Sequence, residues 1–138
     1  MSIRDNPAFK NLIYKKTVEL GDLYFFEKMV VSELHEGVHV NFENFSEARI
    51  EIEHFYGQRH FGFIANRIQP YSITLTDANL YNDIFKNLRA YATVTYTELA
   101  SKVVEVENYF FKFNKRNFKD LDEAIDWVQE ELQKKTAY

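Results

Sequence analysis

The N-terminal third of the chain has the side-chain pattern of three short strands. Residues 14–20 alternate between two sets of side chains, with the period of two that a half-buried strand shows. Gly21-Asp22 follows with glycine first, as a type II′ hairpin turn prefers, and predicts a turn. The runs 23–27 and 30–34 are rich in strand-forming residues and predict the second and third strands. The simplest arrangement of these strands is an antiparallel meander.

From residue 42 onward the apolar residues recur every three to four positions, which predicts helices lying on a core. The stripes are Phe45, Ala48, Ile52, Phe55 and Tyr56; Tyr81, Ile84, Phe85 and Leu88; Leu99, Val103, Val106 and Phe110; and Leu121, Ile125, Val128 and Leu132. Between these helices, short apolar runs in 61–65, 90–96 and 111–118 predict strands. Gly57 is a natural stop for the first helix.

Capping boxes at Thr95 to Glu98 and at Asp120 to Glu123 predict the starts of the last two helices. Three strands followed by alternating helices and strands predict an α/β fold. Its mixed sheet would have an N-terminal antiparallel meander, a parallel portion and helices packed on the sheet. No repeat or linker divides the chain, so residues 1–138 are expected to form a single domain, with 1–12 as an arm or marginal helix.

Composition narrows the class of protein. A net charge of −4 argues against a general attraction to nucleic acids or anionic membranes. The absence of cysteine excludes disulfides, a thiolate nucleophile and cysteine metal sites. The first residues lack the apolar core of a signal peptide, and no apolar run is long enough to span a membrane. The sequence therefore predicts a soluble, cytoplasmic protein with neither a nucleic-acid nor a membrane partner.

Residues 35–39, His-Glu-Gly-Val-His, match the H-E-x-x-H pattern of zinc peptidases. That chemistry needs both histidines on one face of a helix, with the glutamate activating a zinc-bound water. Here the pattern follows a predicted strand, and Gly37 and Val38 weaken a helix. Glu51 or Glu53, the conceivable third ligands, would lie off the apolar face of their helix. We therefore predict no bound metal, and a zinc-dependent hydrolase is the unfavoured alternative.

Residues 59–66 partly match the RNA-recognition signature, in which exposed aromatic side chains stack on bases. Phe61 and Phe63 fit this signature, but Asn66 stands where a stacking aromatic belongs. That fold also needs two strands between its helices, whereas one is predicted here. The basic stretch 112–119 is more typical of an edge strand guarded by charges. RNA binding is therefore not expected.

Several segments of the chain resemble one protein family. They are Gly21 to Phe26, Glu36-Gly37-Val38, Phe55-Tyr56-Gly57, Ile64 to Arg67, Tyr71-Ser72 and Phe118 to Trp127. Together they look like the STAS-like (SpoIIAA-like) small bacterial proteins, which are related in fold to the anti-sigma-factor antagonists. The similarity covers residues 14–132. It implies a four- or five-stranded mixed sheet with helices mainly on one side, and a non-enzymatic role in protein association.

In the antagonists, a serine near the start of the helix after a central strand is phosphorylated to switch partner binding. The family's Asp-Ser-Ser-Gly pattern is absent here, and the corresponding loop reads Tyr-Ser-Ile-Thr-Leu-Thr-Asp over residues 71–77. The resemblance therefore implies the location of a site and not its phosphorylation.

The loop that follows the strand 61–65 is the candidate binding site, because sites in open α/β sheets form at the carboxyl ends of strands. Thr76 or Asp77 can cap the next helix, whose free N–H groups would favour an anion nearby. The candidate residues are Asn66, Arg67, Tyr71, Ser72, Thr74 and Thr76. The structural alternative is an ordinary solvated connection.

The leading hypothesis is a non-enzymatic regulatory or adaptor-type domain that binds another protein through this loop. The 13 Phe, 9 Tyr and 1 Trp leave open an alternative, a carrier of a small or lipid-like ligand in an aromatic-lined pocket between sheet and helices. The four glycines are too scattered to form a phosphate cradle, so no cofactor is expected. The partner's identity and the oligomeric state stay open, including a homo-oligomer.

Overall fold

The computed structural model describes residues 1–134. The strands in that range are β1 (Tyr14–Val18), β2 (Gly21–Phe25), β3 (Met29–Leu34), β4 (His39–Val40), β5 (Phe61–Arg67), β6 (Ser72–Ile73), β7 (Leu88–Thr95) and β8 (Lys115–Phe118). The α-helices are α1 (Ser46–Tyr56), α2 (Ala78–Ile84), α3 (Glu98–Glu107) and α4 (Leu121–Gln133), and 3-10 turns cover Ile3–Asp5, Pro7–Asn11 and Leu75–Asp77. No helix within residues 1–134 combines the length and the apolar character needed to cross a membrane.

Six of the strands form one mixed sheet in the order β1-β2-β3-β5-β7-β8. The first three are antiparallel neighbours, and β3, β5, β7 and β8 run parallel to one another. This arrangement confirms the predicted α/β fold with an antiparallel N-terminal edge. The strands β4 and β6 form a separate parallel ladder of two residues each.

Helices cover both faces of the sheet, and each face has its own apolar core. One core contains α1, α2 and most of the buried aromatic rings, whereas the other contains α4 and the N-terminal segment. The resemblance implied helices mainly on one side of the sheet. The structure differs because α4 packs on the second face, across β5 and β7. Gly62 permits this close packing, because a Cβ at that position would overlap the side chain of Val128.

The hairpin between β1 and β2 turns at Glu19-Leu20 and not at the predicted Gly21-Asp22, since Val18 pairs with Gly21. Gly21 is required for another reason. Its φ is +153°, and a Cβ there would lie 2.6 Å from the Leu34 Cα of the neighbouring strand. A glycine is therefore needed here because β2 approaches β3 closely. The local sequence around Gly21 is the same as that of a turn, so it does not reveal this approach.

Two helix boundaries also differ from the prediction. Leu88 extends the apolar stripe of α2 in the sequence, but in the structure it begins β7. The apolar pattern continues past the end of the helix because the helix and this strand contribute to the same core. The cap of α3 is Thr97, whose hydroxyl accepts a hydrogen bond from the Ala100 N–H, and not Thr95. Thr95 is the last residue of β7, and its hydroxyl bonds to that of Ser101.

The largest departure from the sequence pattern is the orientation of α3. Its apolar stripe, which has the form of a core-facing stripe, is exposed to solvent. The side chains that α3 buries are Val104 and Glu107, and Glu107 forms an ion pair with Arg67 at the end of β5. This ion pair holds the helix with Val104 towards the sheet and its apolar stripe outward.

Candidate functional site

The candidate site lies at the carboxyl end of β5, which extends two residues beyond the predicted strand. Asn66 and Arg67 therefore belong to the sheet, where they pair with Val94 and Thr95 of β7, and not to the loop. Both side chains are buried, with 1% and 6% exposed, respectively. The loop between β5 and α2 consequently comprises residues 68–77.

Arg67 joins the loop to α3. Its guanidinium forms a 2.5 Å ion pair with Glu107, donates a 2.8 Å hydrogen bond to the carbonyl of Tyr71 and stacks on the Tyr71 ring at 4.2 Å from the centroid. Burial raises the pKa of the Glu107 carboxyl, although the Arg67 guanidinium opposes that shift. Arg67 and Tyr71 are thus in direct contact, with Arg67 beneath the loop and not on its surface. Their part in binding stays a prediction.

Asn66 fastens the N-terminal segment to the sheet. Its amide donates hydrogen bonds to the Met1 carbonyl and to the Glu33 carboxylate, and its oxygen accepts one from the Tyr96 hydroxyl at 2.6 Å. The same carboxylate accepts the N–H of Ile3, whose side chain is fully buried. The polar atoms of Asn66 are therefore committed to the fold, while its proposed part in binding stays a prediction.

The exposed part of the loop is held against β4 by a histidine. The His39 ring places Nδ1 2.6 Å from the Ser72 hydroxyl and Nε2 2.7 Å from the Thr74 hydroxyl. The β4–β6 ladder supports this arrangement by pairing His39 with Ser72 along the backbone. Ser72 and Thr76 are exposed, and Thr74 is partly buried. We call the surface formed by His39, Ser72, Thr74 and Thr76 the hydroxyl row.

Sequence reasoning missed the part that His39 plays in this surface, since it treated the residue as a member of a metal motif. In the structure, a turn at Glu36-Gly37 leads into β4, which begins at His39, and residues 35–39 form no helix. Among residues 1–134, no three His, Cys, Asp or Glu side chains are grouped so that they could hold a metal ion.

The two aromatic residues of the RNA-like signature are core residues. Phe61 and Phe63 are buried on the face of β5 that α1 and α2 cover, and Phe61 stacks on Tyr56 with their ring centroids 4.6 Å apart. β5 is an interior strand between β3 and β7. Its aromatic rings therefore form no exposed platform for bases.

A cavity of about 70 Å³ lies between the sheet and the helices, beside Tyr71. Its walls are almost wholly apolar, and Phe45, Phe63, Tyr81, Tyr91 and Phe111 contribute aromatic rings. The Tyr81 hydroxyl is buried without a hydrogen-bond partner among the described residues. A carrier of a small or lipid-like ligand in such a pocket stays a prediction.

The sequence matches no protein-family model and no curated protein. A solved structure with a similar fold is that of an uncharacterised protein of the DUF3478 family with a SpoIIAA-like fold, from Shewanella loihica PV-4. The two chains are 15% identical, the match covers 84% of this chain and 91% of that one, and the TM-score is 0.52. At this identity the likeness concerns the fold alone, and it confirms the predicted SpoIIAA-like fold.

Proposed function

We propose that this protein is a non-enzymatic regulatory or adaptor-type domain that binds another protein through the hydroxyl row. The observation that carries the proposal is the construction of the loop 68–77. Its charged anchor, Arg67, is buried and ion-paired beneath it, while Ser72 and Thr76 face the solvent.

The hydrogen bonds of His39 support this proposal, because they fix Ser72 and Thr74 before a partner arrives. A side chain that is already held in one conformation loses less entropy on binding, which favours affinity. Hydroxyl groups both donate and accept hydrogen bonds, so the row suits the backbone or polar side chains of a protein partner.

The contact between Ser72 and His39 also has the distance of a nucleophile and its base. In such sites a third group orients the base, and in the best-known version this group is a carboxylate on the other ring nitrogen. Here that nitrogen faces the Thr74 hydroxyl, and the pair lies on the exposed β4–β6 ladder. We therefore interpret it as part of a binding surface.

The test is affinity capture from the cells of origin, with partners identified by quantitative mass spectrometry. A variant carrying Ser72→Arg and Thr76→Arg places two bulky cations at the two exposed positions of the hydroxyl row. Capture of the specific partner should fall at least about tenfold, a change of roughly 1.4 kcal/mol in binding.

The matched control is Thr17→Arg on the edge strand β1, an exposed threonine whose hydroxyl bonds to the Asp22 side chain. It should capture the partner as the unchanged protein does, and all variants should keep their melting temperature. Undiminished capture by the double variant would overturn the proposal. Equal loss in the Thr17→Arg control would assign the binding surface to another part of the sheet.

A further inference from the structure

The exposed apolar side chains of α3 form one continuous face, which we call the α3 seam. It consists of Leu99, Val103 and Val106 on the helix and Phe110 in the turn that continues it. Leu99 is 74% exposed and Val106 53% exposed. Exposed apolar residues on monomeric proteins are usually scattered singly, whereas a contiguous patch marks an interaction site.

The spacing of the seam indicates which kind of partner it fits. Its members are separated by four, three and four residues, which is the strict a/d alternation of a heptad repeat. A helix that packs on a globular core has a wider stripe, while the narrow a/d seam receives a second helix. The spacing therefore favours a second helix as the partner.

We propose that this second helix is α3 of another copy of the chain, and that the two run antiparallel about a two-fold axis between Val103 and Val106. In this register Leu99 of each copy meets Phe110 of the other, and Val103 meets Val106. Every contact then occurs twice, as a two-fold interface requires. The inference concerns a surface separate from the hydroxyl row and does not depend on the function proposed for it.

The flanks of the seam favour a second copy in the antiparallel orientation. Lys102 on the helix and Tyr109 in the turn that follows it are seven residues apart, and Tyr109 is 83% exposed. An antiparallel pair places the ammonium group of each Lys102 beside the Tyr109 ring of the other copy, a favourable cation–π contact. In a parallel pair Lys102 would instead reach for Glu107, which is already buried in its ion pair with Arg67. Ala100, on the other flank, is small enough to let the helices approach closely.

The seam is small, which sets the expected strength of the pair. With Tyr109 it exposes roughly 500 Å² of apolar side chain per copy, compared with about 800 Å² per partner in stable interfaces. We expect a reversible dimer with a dissociation constant on the order of 100 µM. Because each copy carries a net charge of −4, added salt should strengthen the association by screening repulsion.

Sedimentation equilibrium between about 10 µM and 1 mM protein tests the dimer, with the range set by the expected constant. Val106→Glu places a charge in the seam and should weaken the dimer at least tenfold. Ile50→Glu is the matched control, since Ile50 is 56% exposed on the outer side of α1. It should dimerise as the unchanged protein does, and both variants should keep their melting temperature. A monomer throughout the range, or a dimer indifferent to Val106→Glu, would refute the proposal.

The register can be tested directly because the chain has no cysteine. A mixture of the Leu99→Cys and Phe110→Cys proteins under mild oxidation should form the mixed disulfide in preference to either disulfide between like variants. Predominant Leu99→Cys disulfides between like chains would indicate a parallel pair and overturn the antiparallel arrangement. Loss of partner capture in the hydroxyl-row variants leaves these results unchanged, so the two proposals fail separately.

Discussion

Replacing Arg67 by alanine removes the group that holds both α3 and the loop 68–77 to the end of β5. The change deletes the ion pair with Glu107, the hydrogen bond to the Tyr71 carbonyl and the stacking on the Tyr71 ring. The ion pair dominates, because the buried Glu107 carboxylate is left without its cation. Removing one partner of such a pair costs about 3–5 kcal/mol, a large part of the roughly 5–15 kcal/mol that stabilises a domain.

The pH dependence of this loss identifies its cause. Burial already raises the pKa of Glu107, and without Arg67 the opposing attraction is gone. A carboxyl whose folded pKa lies above its unfolded value destabilises the fold when ionised, and protonation relieves that penalty as the pH falls. The difference in stability between the unchanged protein and Arg67→Ala should therefore shrink as the pH is lowered from neutral.

Urea unfolding of Arg67→Met, Glu107→Leu and the double variant separates the pair from its surroundings. Each single change should cost about 3–5 kcal/mol, whereas the double change should be near neutral or stabilising, since apolar residues of similar size can replace a buried pair. Single changes below about 1 kcal/mol, or a double variant that costs the sum of both, would refute the reasoning. The same stability loss makes Arg67 variants unsuitable for testing partner binding.

Two further outcomes follow from the packing. Gly62→Ala should lower the free energy of unfolding by about 1–3 kcal/mol in urea, because its Cβ would overlap Val128. Adding Val128→Ala should recover part of that loss. A double variant whose loss equals the sum of the two single losses would contradict the packing. Burial raises the pKa of Tyr96 to about 12, above the unfolded value near 10, so its contribution to stability should be intact below pH 10 and lost as the pH rises towards 12. Phenolate absorbance and urea midpoints measured together check this, and Tyr96→Phe should reduce the dependence.

The sheet and most helices could be predicted because their signals are local. The stripe through Ala48, Ile52 and Tyr56 has the period of a helix, and those three side chains are buried. Gly57 ends that helix with a φ of +58°, a backbone conformation that glycine adopts without strain. Signals of this kind depend on a few neighbouring residues and not on contacts with distant parts of the chain.

The end of β5 could not be predicted, since Asn66 and Arg67 are residues that normally mark a loop. Arg67 is favourable inside the sheet only because Glu107 lies above it, 40 positions later in the chain. The hydroxyl row has the same origin, because His39 meets Ser72 across 33 positions and Thr74 across 35 positions. No period or spacing in the sequence encodes such pairings.

The outward orientation of the α3 seam depends on two opposing free energies of similar size, the burial of the seam and the ion pair between Arg67 and Glu107. Turning the helix by about 100° would bury the seam but withdraw Glu107 from Arg67. The gain, roughly 1.5–3 kcal/mol for each fully buried aliphatic side chain, is reduced because Val103 and Val106 are already partly covered. The loss is the about 3–5 kcal/mol of a broken buried pair. Turning the helix would also expose Val104, which is buried in the observed orientation. The broken pair and the exposed Val104 together favour the observed orientation, and a second copy covering the seam adds the apolar burial that the single chain forgoes.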